Sequence, residues 1–158
     1  MKELKTKPAA KTKARSTRKQ IEGVSAYSKP ALRSEAFARA LTEAKLCVDD
    51  HERLETLFNE AAKKAAACPK DSFIEYWPYL QTMLRLVRAH HRAEYNRAAH
   101  DSLLWIVAAL NYLIDPFDLI PDNTPFLGFI DDAAVVEFVV DRTRQTLDDF
   151  MTWETMPR

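Results

Sequence analysis

The sequence predicts an all-α fold: a small bundle of about four helices behind a disordered basic N-terminal arm. Three observations carry this. Gly23 and Gly128 are the only glycines in 158 residues, too few for the turns of an all-β chain this long. Ala, Leu, Glu, Arg and Lys, all strong helix formers, are abundant. Apolar residues then recur at helical spacing in four stretches. The length suits one domain plus a tail, read as an arm over 1–30 and a helical domain over 31–158.

The arm comes first in the chain. Net charge is zero, but residues 1–33 hold ten Lys or Arg against Glu3 and Glu22, a net of +8. The remaining 125 residues carry −8, so a basic arm is attached to an acidic body. The arm has almost no large apolar side chains, so it cannot bury enough surface to offset the entropy of ordering. It reads either as a contact for phosphates, of nucleic acid or anionic lipid, or as a solvated tail. Two cysteines, Cys47 and Cys68, are too few for a disulfide scaffold, and residues 1–20 lack the apolar core of a signal peptide. A cytoplasmic protein, peripheral at a membrane if attached to one, is the expectation.

The first helix is expected over 34–67, on the stripe Phe37, Leu41, Ala44, Val48, Leu54, Phe58, Ala61 and Ala65. Pro69 ends it, and an Asp49–Glu52 capping box marks a place to break. The second opens at a better box, Ser72 with Glu75, and Pro78 kinks or restarts it one turn later. Leu80, Leu84, Val87 and His91 give its face.

The third helix, from Ala99 or Ser102 to Ile114, is apolar nearly all round. Its 13 residues from Ser102 reach about 20 Å, against about 30 Å for a hydrocarbon core, so it reads as a buried central helix. The fourth runs from Asp132 to Trp153 and turns polar in its second half. The predicted core includes Leu84, Val87, Leu104, Val107, Leu110, Leu113, Ile120, Leu127, Val136, Val140 and Leu147, with the last two helices at its centre.

Between those helices lies DPFDLIPDNTPFLGFIDD, residues 115–132. Carboxylates alternate with large apolar residues, and Pro116, Pro121 and Pro125 stiffen the backbone. An apolar, rigid turn is expected to pack in an ordered way. Asp115 can cap a turn at Pro116, Asp131 can cap the last helix, and Asp132 favours the positive end of its dipole. Gly128 permits positive φ or close backbone approach. Asp118 and Asp122 read as acceptors of backbone N–H bonds. The alternative is a divalent-cation site on Asp118, Asp122, Asp131 and Asp132, since Mg²⁺ and Ca²⁺ prefer oxygen ligands; the spacing is not that of an EF-hand. No other cofactor is implied.

Tyr112, Pro116, Asp118, Ile120, Pro121, Asp122, Pro125, Gly128, Asp131 and Asp132 together resemble the signature of the YkvA-like family, a domain of unknown function (DUF 1232). The resemblance covers about Glu94 to Glu154 and implies membrane association. Polar Asn123 and Thr124 stand where the family often has apolar residues, and Ala93 where it often has Gly.

Other chemistry is sparse. His90, His91 and His100 cluster near Glu94 and Asp101, and His90, Glu94, Arg97 and Asp101 would share one helix face. A solvated polar face is the simpler reading, because the Glu-x-x-His order of di-iron helices is reversed. Nucleophile elbow, phosphate loop, dinucleotide fingerprint and His-Glu-x-x-His motifs are missing. Three readings follow: a non-catalytic helical interaction module with a protein partner or an anionic membrane surface; a cation-binding protein or metal-dependent enzyme using the turn; and a nucleic-acid-associated protein acting through the arm. The acidic body opposes the last.

Overall fold

The computed structural model describes residues 35–67, 75–115 and 130–157. The basic arm, the Ser72 end of its capping box and residues 116–129 of the turn lie outside the described residues. Among the described residues the fold is all-α: α1 Glu35–Cys47, α2 His51–Ala67, α3 Trp77–His91, α4 His100–Ile114 and α5 Ile130–Thr155. Among the described residues the helices number five, because the long first helix divides in two at the break its internal capping box marks.

The break falls at Val48–Asp50. Its cap is one residue later than the sequence suggests: the Arg53 backbone N–H donates to Asp50 Oδ1 at 3.1 Å, leaving Asp49 exposed. The break lets α2 fold back, so Val48, Leu54 and Leu57 all turn inward. Pro78 lies in the first turn of α3, where a missing N–H costs no helical bond, so it starts the helix rather than kinking it. α5 begins at Ile130, two residues before the expected Asp132 start.

Helix directions follow from the cross-helix pairs. α1 and α4 are antiparallel: Asn111 donates to the Ala40 carbonyl at 3.4 Å, Arg39 reaches Asp115, and Asp49 reaches His100. α4 and α5 are antiparallel as well, with Trp105 edge-on to Phe138 and Thr146 donating to Ser102 at 2.9 Å. α3 runs parallel to α5, joined by Arg144 to Tyr79 and by both Arg85–Glu154 bonds, at 2.8 and 3.1 Å.

α4 touches all four other helices, which explains why its sequence is apolar nearly all round. The expected centre of two helices narrows to this one, with α5 packed mainly on α4 and α3. Val107, Leu110 and Leu113 are buried as expected, as are Leu84, Val87, Val136, Val140 and Leu147. Leu104 is only half-buried, and Ile120 and Leu127 lie outside the described residues. Thr82 and Thr143 are buried without loss because each hydroxyl donates to a carbonyl four residues back, at 2.8 and 2.7 Å.

One end of the bundle collects most chain exits. The start of α1, the end of α2, the start of α3, the end of α4 and the start of α5 meet there. The opposite end holds the α1–α2 break, the α3–α4 connection and the end of α5.

Candidate functional site

The described flanks of the Pro/Asp-rich segment are both anchored to the N-terminal helices. Tyr112, in the last turn of α4, is fully buried and packs edge-on against Phe37 of α1, ring centroids 6.1 Å apart. One turn further on, α4 ends at Asp115, whose extended backbone (φ −65°, ψ 122°) suits a residue before proline. Its carboxylate lies 3.7 Å from Arg39 Nη2. Asp115 therefore closes α4 and ties it to α1.

Across the segment, Asp131 is the second residue of α5, inside the first turn rather than at the cap position expected for it. Asp132 follows as a buried carboxylate, 3.9 Å from Lys64 Nζ in the last turn of α2. A negative charge in a helix's first turn meets the positive end of the dipole, as expected. The ammonium adds a second source of stabilisation for a charge that burial alone would penalise. Pro116, Asp118, Ile120, Pro121, Asp122, Pro125 and Gly128 lie outside the described residues. Of the predicted set, the structure places Tyr112 and Asp132 in the core and Asp131 at the helix start.

Sequence reasoning missed Arg39 and Lys64. A weak signal existed for Lys64: it falls seven residues after Leu57 and three after Ala61, on a stripe otherwise apolar. Nothing local marks Arg39, because its partner stands 76 positions away.

The histidines part company. α3 stops at His91, so His90, Glu94, Arg97 and Asp101 do not share a helix face. The stop is a Schellman motif: Glu94 N–H donates to Ala89 O and Ala93 N–H to His90 O, both at 2.9 Å. Ala93 takes φ of 57°, the position where a glycine is the unstrained choice. His91 stacks instead on His51 of α2, centroids 3.8 Å apart, and His100 Nε2 lies 3.7 Å from Asp49. Among the described residues, no three His, Cys, Asp or Glu converge to hold a metal ion.

Other titratable groups are displaced by packing. Burial pushes the Cys47 thiol up to about 11, opposed by Arg53. Burial, and then the hydrogen-bonded Glu137 carboxylate, pushes Tyr76 up to about 12. Among the described residues, no helix is long and apolar enough to cross a membrane.

Comparison with known proteins agrees with the signature. A family model described as "Protein of unknown function (DUF1232)" matches residues 102–138, which run from α4 through the Pro/Asp-rich segment into α5. The chain is similar to an "Uncharacterized membrane protein YkvA" of Bacillus subtilis, 33% identical over 75 residues, 48% of this chain and 71% of the relative. No solved structure matches.

Proposed function

The chain belongs to the YkvA-like, DUF1232 family, and from that premise we propose that it is a helical interaction module that attaches end-on to an anionic membrane surface. The observation that carries the reading is the shared pole. The ion pair between Arg39 and Asp115, at 3.7 Å, brings the start of α1, where the basic arm joins, beside the end of α4, where the apolar segment begins. The Lys64–Asp132 pair brings the far end of that segment to the same pole.

The body itself offers a membrane little. Among the described residues the exposed large hydrophobics are Leu46 and Met156, both at the opposite pole. Residues 116–129, by contrast, hold Phe117, Leu119, Ile120, Phe126, Leu127 and Phe129. Burying one such side chain contributes about 1.5–3 kcal/mol. Each Lys or Arg of the arm near an anionic surface adds about 1 kcal/mol. The two signals are complementary, as reversible anchoring requires. The relative's description as a membrane protein points the same way.

A divalent cation on Asp118, Asp122, Asp131 and Asp132 is the weaker reading. Asp132 already faces the fixed positive charge of Lys64, which repels a divalent ion. Titration with Mg²⁺ and Ca²⁺, followed by thermal melting, tests it: a raised Tm at sub-millimolar metal would revive it.

Vesicle partitioning tests the membrane reading. The full chain is expected to bind anionic vesicles at low salt and to lose most binding when the arm lysines are changed to Gln. Phe126→Ser with Phe129→Ser should remove the salt-resistant remainder while leaving the helical melting curve in place. Failure of the full chain to bind anionic vesicles at low salt would sink the proposal.

A further inference from the structure

Away from the turn pole, α2 and α3 enclose a cleft of about 90 Å³ lined by Glu55, Phe58, Asn59, Arg88, His91 and Arg92. Its chemistry is one-sided. Arg88 and Arg92 stand four residues apart, so their guanidinium groups project from one side of α3. The Arg88 guanidinium lies over the Phe58 ring, 5.9 Å from its centroid, which holds it at the cleft wall. Among the described residues, no carboxylate lies within ion-pair distance of either group. Arg85, one turn earlier, shows the contrast: it is held bidentately by Glu154.

His91 Nε2 is buried and has no hydrogen-bond partner among the described residues. Its ring cannot easily swing to find one, because it is stacked on His51 with the planes 20° apart. A buried polar atom left without a partner calls for an explanation. Arg88, Arg92 and the Asn59 amide thus line this cleft with one carboxylate, Glu55, and the two arginines also line an adjoining cleft of about 250 Å³ that holds Glu94 and Glu154.

We propose that this cleft binds a small oxyanion: phosphate, or a phosphoryl group carried by a larger ligand. Planar guanidinium forks match the paired oxygens of a tetrahedral oxyanion and hold it bidentately. The Asn59 amide adds a neutral donor to the same group. Glu55 accepts from the protonated oxygen of a hydrogen phosphate. The cleft, about 90 Å³, is small, which suits a group of phosphate size. The inference is independent of the membrane reading, since the cleft lies away from the pole that carries the basic arm.

The test is a two-dimensional NMR titration of the full chain with sodium phosphate at constant ionic strength, then with vesicles containing phosphatidic acid. Expected are saturable shifts at Arg88, Arg92, Asn59 and the His91 ring. Arg88→Gln and Arg92→Gln should each weaken binding about tenfold or more, as loss of a charge-assisted donor implies. Glu55→Gln keeps an acceptor oxygen and removes the negative charge facing the anion, so it should strengthen binding, and Arg85→Gln should leave it unchanged. Saturation by free phosphate identifies a diffusible ligand; shifts at these residues with vesicles alone identify a lipid headgroup. Shifts confined to residues 1–33, equal affinity in the Arg88 and Arg92 variants, or no saturation at tens of millimolar phosphate would each overturn the assignment.

Discussion

Ala93 pays for its position in strain. A left-handed backbone costs a residue with Cβ about 1–2 kcal/mol, and glycine gives back part of that in unfolded-state entropy. Ala93→Gly should therefore stabilise the fold by about 0.5–1 kcal/mol, seen as a Tm rise of about 2 °C. Lys64→Met should do the reverse. It leaves the buried Asp132 carboxylate without its ammonium, at a cost of about 2–3 kcal/mol by urea unfolding. Cys47 and Tyr76 set an alkaline limit. Each is held protonated in the fold, at about 11 and about 12 against ordinary values of 9.0 and 10.0. Their stabilisation is complete below the unfolded values and is lost as pH rises through the folded ones. Urea midpoints should be flat between pH 7 and 8.5 and fall above pH 9. Cys47 should account for about 2 kcal/mol of that loss by pH 11. Cys47→Ala should remove that part of the slope.

At the scale of elements, α4 concentrates the packing. Leu110 is fully buried on a helix that touches every other one, so Leu110→Ala should cost about 3 kcal/mol. A comparable loss at half-buried Leu104 would show that the burial pattern is wrong. Most helices were legible because their apolar stripes are long and periodic: Leu80, Leu84 and Val87 mark α3, and Val136, Val140 and Leu147 mark α5. The α1–α2 break was legible as acidic residues at a gap in the stripe. Which Asp performs the capping was not, because Asp49 and Asp50 differ only in backbone geometry. The end of α3 was missed for a related reason. Helical spacing runs on through Glu94, and only the Schellman hydrogen bonds and the positive φ at Ala93 reveal the stop. The family's glycine at that position was the available hint.

For the whole molecule, the signature was legible as a string but not as an arrangement. Tyr112 was singled out with the site, yet its place is in the core against Phe37. Arg39 and Lys64 went unnoticed because their partners are remote in sequence, and only the fold makes α1 and α2 the clasp around the segment. That arrangement brings the start of α1, the end of α4 and the start of α5, the points from which the basic arm and the apolar turn leave the described residues, to one pole.

The length of α3 has a consequence of its own. Its start lies at the pole where the arm joins, while Arg88 and Arg92 lie 11 and 15 residues further on, about 17–22 Å along the axis. Near a negatively charged bilayer at physiological salt the surface potential decays over about 8 Å. Across two to three such lengths it falls to about a tenth. In the end-on attachment proposed above, the helix would work as an electrostatic spacer: an anion would reach those arginines without repulsion from the surface that draws the other end.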